Sequence, residues 1–323
     1  MAFVQLSRFL FLLQAVVAAA LVAAGAVRGR DPARGGSLLL LGGIGAIAVL
    51  AVSGGVLYYL GLAARVGFTP GAMCVFGVLR AGPPALRWVE AGFPAVLVLA
   101  GAGAATYLLE HRAGDPTSRT VRAVLAVGAL VALAHAGTGL WAWQRLLNPP
   151  PGQALSVSCC TTVFDVAEAG SAAVAGGGFA AWWLWGSLAA TLGCLAGLGR
   201  GRGGAGRGLL WGGAVLSAGT LAVAAPAVVL ARWAPRMMGL IDHHCPYCLL
   251  QRVPAAPPAV VLAGLGLACV AWGAWVALVG SVRPDLRAEA VRMETGLARA
   301  GLWLVLSAAG LLAAYALGRG SGP

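Results

Sequence analysis

Apolar runs of about 20 residues recur along this chain, and that recurrence restricts its folds more than any other feature. Eight are found, over about 9–27, 37–62, 92–109, 123–146, 171–198, 208–231, 255–280 and 301–318. A run of this length crosses a bilayer as a helix, because each backbone N–H and C=O must find its partner inside the segment once water is gone. Charged residues make up 10% of the 323 residues, too few to coat a soluble globule, and 60% are hydrophobic. The sequence therefore predicts an all-α, polytopic transmembrane helix bundle of about eight spans. The first run reads as a span rather than a cleaved leader, since it lacks a strongly basic start and Arg28, Arg30 and Arg34 follow it closely.

The formal net charge is +12, and all 22 basic residues are arginines. They concentrate in alternate loops: Arg28, Arg30 and Arg34; Arg112, Arg119 and Arg122; Arg200, Arg202 and Arg207; Arg283, Arg287, Arg292 and Arg299. The positive-inside rule assigns these four loops to the cytoplasm, which leaves both termini and the other three loops outside. Arg65, Arg80, Arg87, Arg145, Arg232, Arg236 and Arg252 lie outside or at that interface and weaken the contrast without reversing it. Short arginine loops between spans do not form the basic face that nucleic-acid binding needs, so no nucleic-acid partner is expected. Five of the seven cysteines, Cys74, Cys159, Cys160, Cys245 and Cys248, share the outside loops.

An offset of 171 residues lays Cys74 on Cys245 and carries the second, third and fourth spans onto the sixth, seventh and eighth. Arg80 then meets Arg252 after one inserted residue, and Pro83-Pro84 resembles Pro257-Pro258. Two tandem four-helix repeats follow: residues 1–150 as the first unit, 151–170 as an outside loop with the vicinal pair Cys159-Cys160, and 171–323 as the second unit. Gly77 stands where the second unit has Cys248, so only the second unit has a complete CxxC.

That CxxC lies just ahead of an apolar run, at a water–lipid boundary near an expected helix start. A helix start favours negative charge and hence the reactive thiolate. Two thiols at this spacing close a small disulfide ring, and Arg252, one helical turn after Cys248, can stabilise a thiolate or a reduced quinone oxygen. Adjacent cysteines such as Cys159 and Cys160 bond only through a strained, reducible ring, so pairing of one of them with Cys74 is easier. Five outside thiols leave one odd, which reads as an exchange nucleophile or a metal ligand. His243 and His244, with Cys245 and Cys248, form a donor set suited to Cu(I) or Zn(II). His135, the only histidine deep in a span, can hydrogen-bond a quinone, ligate haem, or tie two helices together. Glu90, Asp165, Glu168 and Asp242 are proton-relay candidates or solvated carboxylates, and Cys194 and Cys269 read as packing residues. No Walker loop, Rossmann glycine fingerprint, CxxCH or HExxH occurs.

Cys245-Pro246-Tyr247-Cys248-Leu249-Leu250-Gln251-Arg252 resembles the disulfide-bond formation protein B family, in which Cys-x-x-Cys-aliphatic-x-[Gln/Glu]-Arg opens a transmembrane helix at the periplasmic face. The resemblance covers about ten residues. It implies a bacterial cytoplasmic membrane, a periplasmic thioredoxin-like thiol protein as partner, and electron exchange with ubiquinone or menaquinone beside Gln251 and Arg252. That family has about four spans and places its second cysteine pair after the CxxC, whereas here the other outside cysteines precede it. Vitamin K epoxide reductase relatives also place CxxC at a helix start, but Gln-Arg after the second cysteine fits them less well. The expected function is a membrane thiol–disulfide oxidoreductase using Cys245, Cys248, Cys159, Cys160 and Cys74. The alternative is a copper-handling membrane protein using the same thiols with His243 and His244.

Overall fold

A computed structural model describes residues 2–27, 35–114, 118–150, 177–200, 206–238 and 245–320. Cys159, Cys160, His243, His244, Asp165, Glu168, Asp242 and the whole 151–170 loop lie outside these. The described residues are helical, with turns and short connections and no strand. The chain divides into two compact units, Met1–Cys159 and Cys160–Pro323.

The first unit contains α1 (Ala2–Val27), α2 (Gly35–Arg65), α3 (Val75–Ala81), α4 (Ala85–Arg112) and α5 (Arg119–Leu147). The second contains α6 (Gly177–Gly199), α7 (Gly206–Val228), α8 (Pro246–Arg252), α9 (Ala256–Val282) and α10 (Arg287–Gly320). Eight of these helices are long and apolar enough to cross a membrane. At 1.5 Å per residue they run roughly 35–50 Å, against a hydrocarbon core of about 30 Å. Their outward faces carry Val49, Leu130, Trp182, Leu216, Val260 and Trp303, all exposed, as helices facing lipid require. The protein is a multi-pass membrane protein.

Each unit closes its long helices into a ring. In the first, α1 packs on α2, α2 on α4, α4 on α5, and α5 back on α1. In the second, α6 packs on α7, α7 on α9, α9 on α10, and α10 on α6, the same cyclic order. The helix limits keep one register. An offset of 171 takes Val75 to Pro246 and Ala81 to Arg252, the two ends of the short helices, and takes the starts of α2 and α4 to those of α7 and α9.

That register corrects two expected matches. The short helices are equal in length, so no residue is inserted between them, and Arg80 corresponds to Gln251 rather than Arg252. Pro83 corresponds to Pro254, not Pro257. Gly82 and Val253, each just before its proline, have ψ values of 175° and 99°. A proline ring drives the preceding residue out of the helical region, so both short helices stop one residue early. A third difference concerns arginines. Arg287, Arg292 and Arg299 are not loop residues but lie within α10, which starts at Arg287.

Local chemistry explains several other boundaries. The Ser118 hydroxyl accepts from the Val121 N–H at 3.2 Å and caps α5. Pro226 interrupts α7, which then widens into a π turn at Val229–Trp233 and ends as Ala234–Met238.

Inside the first unit, Phe11, Tyr58, Phe93, His135 and Trp143 form an aromatic cluster drawn from α1, α2, α4 and α5. Gly139 makes room for Phe11, since a Cβ there would lie 2.7 Å from the ring. Inside the second unit the core holds Leu195, Leu198, Trp211, Ala218 and Val270. An ion pair joins α7 to α10 beside that core. Glu294 Oε2 accepts from Arg207 Nη2 at 2.9 Å, Arg207 Nε at 3.1 Å and Trp211 Nε1 at 2.9 Å.

Candidate thiol site

Cys245 and Cys248 bracket the first turn of α8. Cys245 is the N-cap residue, with extended backbone, and its carbonyl accepts from the Leu249 N–H at 3.0 Å. Pro246 follows at the first helical position, where a missing N–H costs nothing and the fixed φ favours helix. The residue types thus start a helix at this cysteine. The helix is only seven residues long and separate from the span α9, so the CxxC opens a short boundary helix rather than the membrane span itself. Val253 and Pro254 make the break, and Pro257-Pro258 then start α9.

The two thiols differ in setting. Cys245 is 1% exposed, whereas Cys248 is half-buried and carries a free thiol. Cys248 packs against a buried cluster that includes Met237, Met238, Leu249 and Val253, with Trp233 and Tyr315 at its edge. The Ala234–Met238 segment packs directly on α8. Difference in burial suits division of labour in an exchange pair, one sulfur accessible and its partner sheltered.

Gln251 and Arg252 are exposed in the last turn of α8. Arg252 lies one helical turn from Cys248, and its guanidinium makes no hydrogen bond or ion pair among the described residues. The last turn of α8 thus presents an uncommitted guanidinium and a carboxamide within about one helical turn of a half-buried thiol.

Cys74 holds the corresponding place in the first unit. It is the N-cap of α3, buried, and its carbonyl accepts from the Val78 N–H at 3.3 Å. A tight turn at Thr69–Ala72 leads into it, with Pro70 and then Gly71 at φ 79°, a conformation that favours glycine. Gly77 occupies the second cysteine's position, so this short helix has one thiol.

His135 lies in the aromatic cluster of the first unit. Its Nδ1 lies 3.1 Å from Gln14 Nε2, and its Nε2 lies 3.2 Å from the Val89 carbonyl. Gln14 Nε2 also donates to the Ala132 carbonyl at 3.0 Å. The imidazole thus accepts at Nδ1, donates at Nε2, and ties α5 to α1 and α4. A quinone or haem iron would have to displace one of these bonds. Glu90 sits inside α4 rather than at its start and accepts from the Tyr59 hydroxyl at 2.9 Å. Among the described residues, no group of three or more histidine, cysteine, aspartate or glutamate side chains is arranged to hold a metal.

Several neighbours are not evident in the sequence. Met237 and Met238 lie beyond the apolar run at 208–231 and nothing in the sequence links them to the CxxC; only the packing of 246–252 on 234–238 does so. Pro226, inside the apolar run, is the one local sign that α7 would distort just before that contact. Comparison with known proteins finds no matching family model, no matching curated protein and no matching solved structure.

Proposed function

We propose that this protein is an integral membrane thiol–disulfide oxidoreductase that passes electrons between dithiols outside a bacterial cytoplasmic membrane and quinone within it. The observation that carries the reading is the placement of Cys245 and Cys248 on the first turn of a short helix at the entrance to a span, one thiol buried and one half-buried.

Both termini and the cysteine loops are on the periplasmic side. A reduced thioredoxin-like partner delivers two electrons and two protons by exchange with a disulfide formed among Cys159, Cys160 and Cys74. Exchange then reduces the Cys245–Cys248 disulfide to a dithiol: each step breaks one S–S bond as another forms. Ubiquinone or menaquinone, held by Arg252 and Gln251, supplies a two-electron, two-proton acceptor. Arg252 offers the planar fork that a developing negative oxygen or thiolate favours, and Gln251 supplies a further donor.

Trapping tests this reading. With Cys245→Ser, the sheltered thiol that resolves a mixed disulfide is lost, so the half-buried Cys248 is expected to accumulate one with a loop cysteine or with the partner. Mass spectrometry after acid quenching identifies it. Absence of any such species during turnover, with turnover unchanged, removes the CxxC from the reaction.

A further inference from the structure

We infer that Met237 and Met238, together with Cys245 and Cys248, form a site for Cu(I). The inference rests on the reading of Cys245 and Cys248 as a dithiol that is reduced for part of its cycle.

The site arises from one juxtaposition. The Ala234–Met238 end of α7 packs on α8, so two thioethers come to the end of the bundle that carries two thiols. Met237 is 2% exposed and Met238 7%, close to the burial of Cys245. Cys248 packs against the same cluster from its rim. The chain has five methionines in 323 residues, so a consecutive pair beside the CxxC is not the filler used elsewhere in these bundles, where leucine, valine and alanine do that work.

Donor chemistry selects the ion. Thioethers are neutral and soft. They bind Cu(I) well and contribute little to Zn(II), Mg(II) or Ca(II). The side chains packed around Met237 and Met238 include the apolar Leu249, Val253, Ala255 and Ala256, a setting that suits soft, neutral donors. Two thiolates and two thioethers give a low-charge, water-poor sulfur shell that suits a monovalent soft cation. On binding, each thiol that ligates releases its proton to water, and no electron moves. The oxidised Cys245–Cys248 disulfide has no thiolate to offer, so metal binding and disulfide formation exclude each other.

The test is a Cu(I) titration of the full-length, anaerobically reduced protein in detergent, in competition with a chromogenic Cu(I) chelator. Wild type is expected to withdraw copper from the chelator, and Zn(II) in excess is expected not to displace it. Met237→Leu with Met238→Leu conserves volume and is expected to weaken the tightest site at least tenfold. X-ray absorption of the copper-loaded wild type provides a check that needs no variant: more than two sulfur neighbours per copper are expected. Wild-type affinity in the double variant, or a shell of nitrogen and oxygen with two or fewer sulfurs, overturns the inference. Whether the dithiol cycles is read separately, by alkylation of wild-type thiols before and after an oxidant. Copper binding at a dithiol that does not cycle would fault the redox reading alone, and a cycling dithiol that takes no copper would fault this inference alone.

Discussion

Arg252 carries the sharpest consequence at the scale of a single residue. It is exposed, one turn from Cys248, and makes no bond to the described residues of its own chain. If it serves only as an interfacial anchor, lysine replaces it without effect. If it holds a quinone oxygen or a thiolate, the planar guanidinium matters. A lost charge-assisted hydrogen bond costs about 1.5–3 kcal/mol, so Arg252→Lys is expected to raise the quinone concentration for half-maximal reoxidation by roughly ten- to hundredfold. Equal quinone dependence in both proteins removes Arg252 from the site. His135 is the contrasting case. The sequence marks it as a polar group in a span, but its partners Gln14 and Val89 are 121 and 46 positions away and no local pattern reveals them. With both nitrogens engaged, His135→Ala is expected to destabilise the first unit by about 2–4 kcal/mol through lost hydrogen bonds and a cavity. Reversible unfolding in mixed micelles measures this. Glu294 is similar: its side chain is 6% exposed and that of Arg207 11%. Removing one partner of a buried pair leaves an uncompensated charge, so Glu294→Ala is expected to cost about 3–5 kcal/mol in the same assay.

At the scale of elements, the long helices were legible because about 20 consecutive apolar residues have few alternatives in a membrane. Their ends were not. Arg287 and Arg292 looked like a loop, yet a helix tolerates arginines beyond the bilayer, and α10 runs on through them. The short helices α3 and α8 were hidden for another reason. Seven residues give too little periodicity to separate them from the span that follows. Pro83 and Pro254 hold the information, through their effect on the residue before each. The equal length of α3 and α8 leads to a direct experiment. Residues three apart on one helical turn have Cα atoms roughly 5 Å apart, within the 4.4–6.8 Å that a disulfide spans. Gly77→Cys therefore recreates a CxxC in the first unit, and Cys74 and the introduced thiol, both at buried positions, are expected to resist alkylation in denaturant after mild oxidation of the folded protein but not before it. Free labelling of both after oxidation would show that α3 does not present the cysteine face that α8 presents.

For the whole molecule, the recurrence of one cyclic helix order in both units, at one offset, means that a site in one unit has a corresponding place in the other. The sequence contained that offset, but it misplaced the arginine and proline matches because spacing alone does not show where helices stop. The thiol site was legible as a motif, whereas its methionine neighbours depended on the packing of two short helical segments, 234–238 and 246–252, against each other. Topology joins these scales. On the proposed topology, eight spans with four arginine-bearing connections would put both ends and all three cysteine loops on one side. An impermeant maleimide added to intact cells after reduction is therefore expected to reach Cys159 or the half-buried Cys248, and labelling only from the cytoplasmic face would defeat the redox reading. The central claim is electron transfer from the CxxC to quinone, and anaerobic single-turnover reoxidation of the purified, reduced protein tests it most directly. Added quinone is expected to restore the Cys245–Cys248 disulfide with one quinol formed per disulfide, and Cys248→Ser is expected to form none. A dithiol that stays reduced in the presence of excess quinone, with no quinol appearing, would contradict the account.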